Sequence, residues 1–247
     1  MPLLTVENVS KTYRDSSNVK QVLCDIDLTV GDGEIVGLVG ESGSGKSTLA
    51  RMIMQLEKRD AGSIYMNEVP VTKSKAFYED CQLIFQNASA ALNPSWTVHE
   101  ILREPLRDMK TDRDAYIFTM LGKVKLSKEH LKKLPSELSG GERQRVNLLR
   151  SVLVRPKLLI CDEIVSNLDR LIQKEIIDLL IEINRETGMA MLFIAHDLKV
   201  VTYMCNRIYV MKNGEIVDES SKVDHQFTFL HPYSNKLFRA MLGSESN

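Results

Sequence analysis

The sequence predicts an α/β protein built on a parallel sheet, and three observations carry that reading. A glycine-rich loop, Gly40-Glu41-Ser42-Gly43-Ser44-Gly45-Lys46-Ser47, joins the apolar run from Glu34 to Val39 to a helical pattern from Ser47 to Met54. Two further apolar runs, Leu158 to Cys161 and Met191 to Ala195, flank a helical pattern over about 171–186. Strand, helix, strand in that order requires a crossover and so a parallel pair with helices on the sheet faces. Third, a helical stretch from about Val98 to Arg150 interrupts the alternation, as an inserted helical subdomain would.

Along the chain, residues 1–30 read as β. Leu3 to Val9 forms one strand, and Val22, Cys24, Ile26, Leu28 and Val30 alternate with polar neighbours in a second. The Gly31-Asp32-Gly33 turn launches the strand that precedes the loop. Gly62 to Met66, followed by Asn67-Glu68, adds a short strand and turn, and Cys81 to Phe85 is another apolar strand. Helical patterns begin around Glu100, Leu102, Arg103 and Leu106, and continue over Tyr116 to Val124 and Arg143 to Leu153, with Pro94, Pro105 and Pro135 as punctuation. Near the end, Arg207 to Met211 and Glu215 to Val217 flank Lys212-Asn213-Gly214, a hairpin signal. We expect one domain over 1–247: an α/β core with its β subdomain at 1–86 and 155–225, a helical part at 87–154, and a short tail at 226–247.

Composition narrows the function classes. The net charge of −1 over 247 residues leaves no electrostatic footprint for nucleic acid. Four scattered cysteines (Cys24, Cys81, Cys161, Cys205) show no metal-ligand spacing and, with no signal peptide in evidence, fit core positions in a reducing compartment. No apolar run approaches the ~20 residues needed to cross a bilayer, so a membrane role would run through partner subunits.

The loop matches G-x-x-x-x-G-K-[ST] at every fixed position. Its glycines let successive backbone N–H groups point at a phosphate chain, and the following helix N-terminus adds partial positive charge. Lys46 can reach the β- and γ-phosphates and Ser47 can ligate Mg²⁺. Gly40, Ser42, Gly43, Ser44, Gly45, Lys46, Ser47 and Thr48 are therefore candidate nucleoside triphosphate contacts. Almost a hundred residues later, Ser139-Gly140-Gly141-Glu142 opens another helix with the spacing of a capping box. Capping accounts for Ser139 and Glu142. It leaves two glycines in a first turn unexplained, each destabilising by roughly 1 kcal/mol relative to alanine. A second anion site, covering phosphates held by another chain, would explain them.

Leu138-Ser139-Gly140-Gly141-Glu142 resembles the signature sequence of the ATP-binding cassette (ABC) family, and the family's other motifs follow in order from about residue 3 to residue 242. The resemblance implies a P-loop NTPase core with a parallel sheet, an antiparallel β subdomain and an inserted α-helical subdomain. It also implies ATP and Mg²⁺ as cofactors, hydrolysis in a nucleotide-sandwiched dimer, and in most members membrane transport. Arg155 to Glu163 resembles the Walker B strand, which assigns Asp162 to Mg²⁺ and Glu163 to the attacking water. Gln86 matches the Q-loop, where its amide bridges Mg²⁺ or that water. His196 matches the switch histidine at the γ-phosphate, Asp169 the D-loop contact across the dimer seam, and Tyr13 the aromatic that stacks on adenine. Asn167 departs from the commoner D-loop alanine.

The segment from Phe85 to Pro94, then Val98 to Pro105, together with His231-Pro232-Tyr233, looks like the oligopeptide, dipeptide and nickel importer branch. That branch implies a second ATPase subunit, in a heterodimer or else a homodimer, two permease subunits and indirectly an extracytoplasmic solute-binding protein. The chain would then work at the cytoplasmic face of the cell membrane, with Ala88 to Trp96 meeting the permease. The short tail, with no cysteine beyond Cys205, predicts no iron–sulfur cluster and leans towards nickel or metal chelates over peptides. The alternative is a non-transport ABC ATPase acting on nucleic acid or the ribosome, which tends to carry tandem cassettes, coiled-coil insertions or basic surfaces.

Overall fold

The computed structural model describes residues 1–15, 18–86, 91–166 and 168–242 of the chain. Two sheets organise it. A four-stranded antiparallel sheet runs β2-β1-β4-β5, with β1 at Pro2–Asp15, β2 at Asn18–Gly31, β4 at Ala61–Met66 and β5 at Val69–Pro70. A six-stranded sheet runs β10-β9-β3-β8-β7-β6. Its members are β3 (Ile35–Gly40), β6 (Cys81–Ile84), β7 (Leu158–Asp162), β8 (Ala190–Ile194), β9 (Arg207–Lys212) and β10 (Glu215–Ser221). Only the β9–β10 pair in that sheet is antiparallel.

The central strands read as continuous apolar runs because both of their faces are covered. Side-chain parity sorts each strand into two cores. Val36, Leu38, Leu158, Ile160, Ala190, Leu192 and Ile194 face the antiparallel sheet and α1 (Lys46–Ile53). Ile35, Val39, Leu159, Cys161, Met191 and Phe193 face the other way. There they meet α6 (Arg170–Thr187), α7 (Leu198–Met204) and the helices inserted between β6 and β7. The strand and helix over 158–187 and the strand at 190–194 form the parallel unit expected from their order. The β9–β10 turn places Asn213 (φ +49) and Gly214 (φ +85) in the left-handed region, as a two-residue hairpin requires.

The inserted region contains α3 (Val98–Arg103), α4 (Arg113–Leu121) and α5 (Gly140–Val152), with three 3₁₀ turns between α3 and α5. Each helix has a side-chain cap: Thr97 in a capping box with Glu100, Asp112 on the Asp114 and Ala115 N–H groups, and Ser139 with Glu142.

Three helices were not expected from the sequence: α2 (Lys75–Asp80), α7 and α8 (Pro232–Leu242). The first two are too short for a strong 3.6-residue period. The third occupies the stretch read as a tail, where Phe238 and Phe229 are buried 4.1 Å apart, centroid to centroid. The first two strands also run past the alternation that suggested them, with register shifts at several points. Cys81, Cys161 and Cys205 are buried and Cys24 is half-buried. No helix among the described residues is long and apolar enough to cross a membrane.

Candidate active site

Parallel register brings four separated segments to one edge. Leu38 pairs with Ile194, and Ile194 with Asp162, so the carboxyl ends of β3, β8 and β7 are level. Just beyond these ends, and that of β6, stand the glycine-rich loop, His196, Glu163 and Gln86. The carboxyl edge of such a sheet is where α/β folds place ligands.

The loop is shaped by what surrounds it. A side chain at Gly40 would place its Cβ 2.1 Å from the Met211 carbonyl oxygen, and Gly45 (φ +107) would meet Leu23 at 2.6 Å. Gly45 occupies the N-cap of α1 with no side-chain cap, so the first N–H groups of that helix have no side-chain acceptor. They are free to bind an anion. Lys46, only 5% exposed, curls back so that Nζ donates to the carbonyls of Gly40 and Glu41, both at 2.9 Å. Burial pushes its pKa down, against the pull of Glu163 and Asp162. Ser42 and Gly43 are exposed and Ser44 is buried, its carbonyl accepting from Gly214 N at 3.1 Å.

Asp162 and Ser47 meet directly: Ser47 Oγ donates to Asp162 Oδ1 at 3.0 Å. Burial pushes the Asp162 carboxyl up, and the Ser47 hydrogen bond and nearby cations oppose it. Burial disfavours the charged form of both groups, and that cost is relieved by an anion at the amine and a cation at the acid. Glu163 adopts φ +51, a conformation uncommon for a residue with a side chain, and its N–H donates to Ile194 O at 2.9 Å. Gln86 Nε2 donates to Glu163 Oε2 at 2.9 Å and to Ser166 Oγ at 3.3 Å, and His196 Nδ1 lies 3.9 Å from the same carboxylate oxygen. The motif match assigned Gln86 to cation or water. Here its amide donor grips Glu163, leaving its Oε1 as an acceptor. Ser166 completes this cluster. It opens the D-loop match of Ser166 to Asp169, but its place beside Glu163 depends on a turn in which its Oγ donates to Glu163 O at 2.9 Å.

Tyr13, 42% exposed, stands beside the first turn of α1, near Thr48, with its OH donating to Glu57 and the Lys11 ammonium 5.4 Å from its ring centroid.

The second group of predicted residues is separate. Ser139 caps α5, accepting from Glu142 N at 3.2 Å, while Glu142 Oε2 accepts from Ser139 N at 2.7 Å. Glu142 Oε1 is 2.9 Å from His130 Nε2. Asp169 caps α6 through the N–H groups of Leu171 and Ile172. The two helix starts touch at Gly141, where a Cβ would lie 3.0 Å from Ile172. That packing explains Gly141. At Gly140 a Cβ would meet nothing within 4 Å, so its glycine answers no contact in this chain. Among the described residues, no hydrogen bond or ion pair joins this group to the loop and its carboxylates. Asn167 lies outside the described residues, as do the first residues of the stretch from Ala88 to Trp96.

The capping box makes a pH prediction. Hydrogen bonds from Ser139, then His130, lower the Glu142 carboxyl from 4.5 to about 2. A depressed acid stabilises the fold above its unfolded pKa and loses that contribution as pH falls towards its folded one. The stability gap between the native chain and Glu142→Gln should be full above about pH 4.5 and shrink towards pH 2. Denaturant titrations across that window measure it; a gap independent of pH would refute the ionised cap.

A family model described as ABC transporter matches residues 23–166. A nickel import ATP-binding protein, NikE, of Rhodospirillum rubrum is 43% identical over 255 residues, spanning 98% of this chain and 92% of its own. NikE of Escherichia coli K12 is 43% identical over 256 residues, spanning 98% and 95%. Among solved structures, cbiO1 from Clostridium perfringens, described as part of the ABC transporter complex cbiONQ, superposes with TM-score 0.77 at 26% identity over 88% of each chain. The ATP-binding cassette MJ0796, in a dimeric post-hydrolysis state bound to ADP and Pi, superposes with TM-score 0.78 at 26% identity, over 88% of this chain and 98% of its own.

Proposed function

The chain belongs to the ABC transporter family, and from that premise we propose that this ATP-hydrolysing subunit powers import of nickel or a nickel chelate, with short peptides as the other substrate class of its branch. The two NikE relatives, each matched over 98% of this chain, are nickel import ATP-binding proteins, which supports the substrate. The observation that carries the chemistry is the Ser47–Asp162 contact at 3.0 Å beside the Lys46 loop. It joins the phosphate cradle to a carboxylate across the sheet.

In this reading Gly40 and Ser42 to Thr48 hold the triphosphate and Tyr13 stacks on the base. Ser47, Asp162 and the Gln86 amide oxygen form an all-oxygen donor set, which suits Mg²⁺. The ion would neutralise charge on the β- and γ-phosphates. Glu163, held by Gln86, takes the proton of the attacking water, and His196 donates to the γ-phosphate. The exposed starts of α5 and α6, with Ser139, Gly140, Gly141, Glu142 and Asp169, close the phosphates of a second ATPase subunit. A cleft of about 810 Å³ between core and inserted helices is lined by Ser47 and Asp162 as well as by Phe85, Gln86, Pro105, Asn147 and Arg150, and its part beside the inserted helices receives a permease subunit. Gln86 lies in its wall, so permease contact and the Glu163 cluster share a residue. Attachment through permeases places the chain at the cytoplasmic face of the membrane. No nucleic acid takes part.

Expression with the neighbouring transporter subunits and reconstitution into vesicles tests this. We expect ATP-dependent uptake of nickel or its chelates. Absence of uptake for nickel and peptides alike, with recovery of the chain on ribosomes or DNA, would overturn it. Tyr13→Ala should weaken ATP binding about tenfold, since base–aromatic stacking contributes roughly 1–3 kcal/mol. Equilibrium titration of nucleotide measures this; unchanged affinity would remove Tyr13 from the site.

A further inference from the structure

The His231-Pro232-Tyr233 segment, at the start of α8, is fastened in place. Asp218 of β10 accepts from the N–H groups of Leu230 and His231 at 3.1 and 2.8 Å. His231 Nδ1 accepts from Tyr233 N at 3.1 Å, and Asn235 Nδ2 donates to Phe229 O at 3.0 Å. These bonds aim the Tyr233 ring at the sheet, where it packs on the core with the Lys212 ammonium 4.7 Å from its centroid. Its hydroxyl is buried and has no partner in hydrogen-bond geometry. The peptide and carboxylate of Glu41, the second residue of the phosphate loop, are close enough to act on it electrostatically without meeting it in that geometry.

Glu41 is an awkward residue there. Its carboxylate, on an exposed residue, stands in a loop shaped to receive a polyanion, and like charges repel. In the structure its carbonyl is held by Lys46 Nζ at 2.9 Å. When Lys46 moves onto nucleotide phosphates, the Glu41 peptide loses that restraint. A buried hydroxyl without a partner gains from any acceptor that closes on it. Burial raises the phenol's pKa, so it keeps its proton and acts as donor.

We propose that Tyr233 is a positioning residue for the phosphate loop: its hydroxyl takes the Glu41 carboxylate as Lys46 leaves for the nucleotide, and holds that negative charge turned away from the phosphates. The C-terminal helix is thereby tied to nucleotide occupancy. The inference rests on the reading of this loop as the ATP site.

The test uses the assembled transporter in lipid vesicles, with ATP hydrolysis measured against ATP concentration. Tyr233→Phe keeps the ring and its packing and removes only the hydroxyl. It should raise KM for ATP about 3- to 10-fold, the loss of one hydrogen bond with some charge repulsion, with kcat changed less than twofold. The rise should shrink at high salt, as a charge effect does and a packing defect does not. In a Glu41→Gln background the same substitution should change KM less than twofold. An unchanged KM in Tyr233→Phe, or an equal rise in both backgrounds, overturns the proposal. Failure of the native assembly to hydrolyse ATP would instead refute the reading of the site.

Discussion

Glu163→Gln should leave ATP binding intact and cut hydrolysis by about 10²- to 10⁴-fold, the range that a positioned general base contributes. The substitution is close to isosteric. Its amide oxygen can still accept from Gln86 Nε2, which now donates to Glu163 at 2.9 Å, and the φ of +51 costs a glutamine no more than a glutamate. What disappears is the ability to take a proton. Loss of one negative charge beside Lys46 also favours a triphosphate, since Glu163 is the first of the charges acting on that amine. The variant should therefore accumulate an ATP-bound dimer with its partner subunit, visible by size-exclusion chromatography in Mg·ATP. Single-turnover hydrolysis measures the catalytic loss. Native turnover would remove Glu163 from the role.

Lys46→Ala should lower ATP affinity by on the order of 10²-fold or more. Hydrogen bonds to charged groups contribute roughly 1.5–3 kcal/mol each, and a lysine released from two loop carbonyls can make at least two to phosphate oxygens. About 1.4 kcal/mol is tenfold in affinity. The fold should tolerate the change: the amine's charge is disfavoured where it is buried, and its partners, the carbonyls of Gly40 and Glu41 and the Ser44 hydroxyl, all belong to the loop itself. Nucleotide titration with a parallel thermal melt separates the effects. A collapse in melting temperature would mean that Lys46 holds the loop itself, and native affinity would show that the phosphates lie elsewhere.

Some elements were legible because their causes are local. The phosphate loop announces itself through glycines whose backbone conformation or close approach admits no side chain, as at Gly40 and Gly45. The capping box at Ser139 and Glu142 needs only residues three apart. The Asn213-Gly214 turn likewise follows from which residues accept positive φ. The glycine pair at 140–141 was half legible. Spacing says that two glycines in a first helical turn need a reason, but only packing against Ile172 separates Gly141, which has one inside this chain, from Gly140, which does not. Helix α8 was missed because its support is tertiary: Phe229 and Phe238 bury each other across a turn in the stretch that reads as a short tail.

By itself the sequence determined the elements and their chemistry: which runs are buried on both faces, which loop can wrap an anion, which residues carry acid, amide and amine. Only the tertiary structure decided which of these meet. Ser47 and Asp162 are 115 positions apart, and Gln86 and Glu163 are 77 apart. Nothing in the local sequence sets those distances. They follow from parallel register, because strands that share hydrogen bonds over four or five residues must end at the same level. The placement of Tyr233 near Glu41 has the same origin, since it depends on Asp218 anchoring the chain after the last strand.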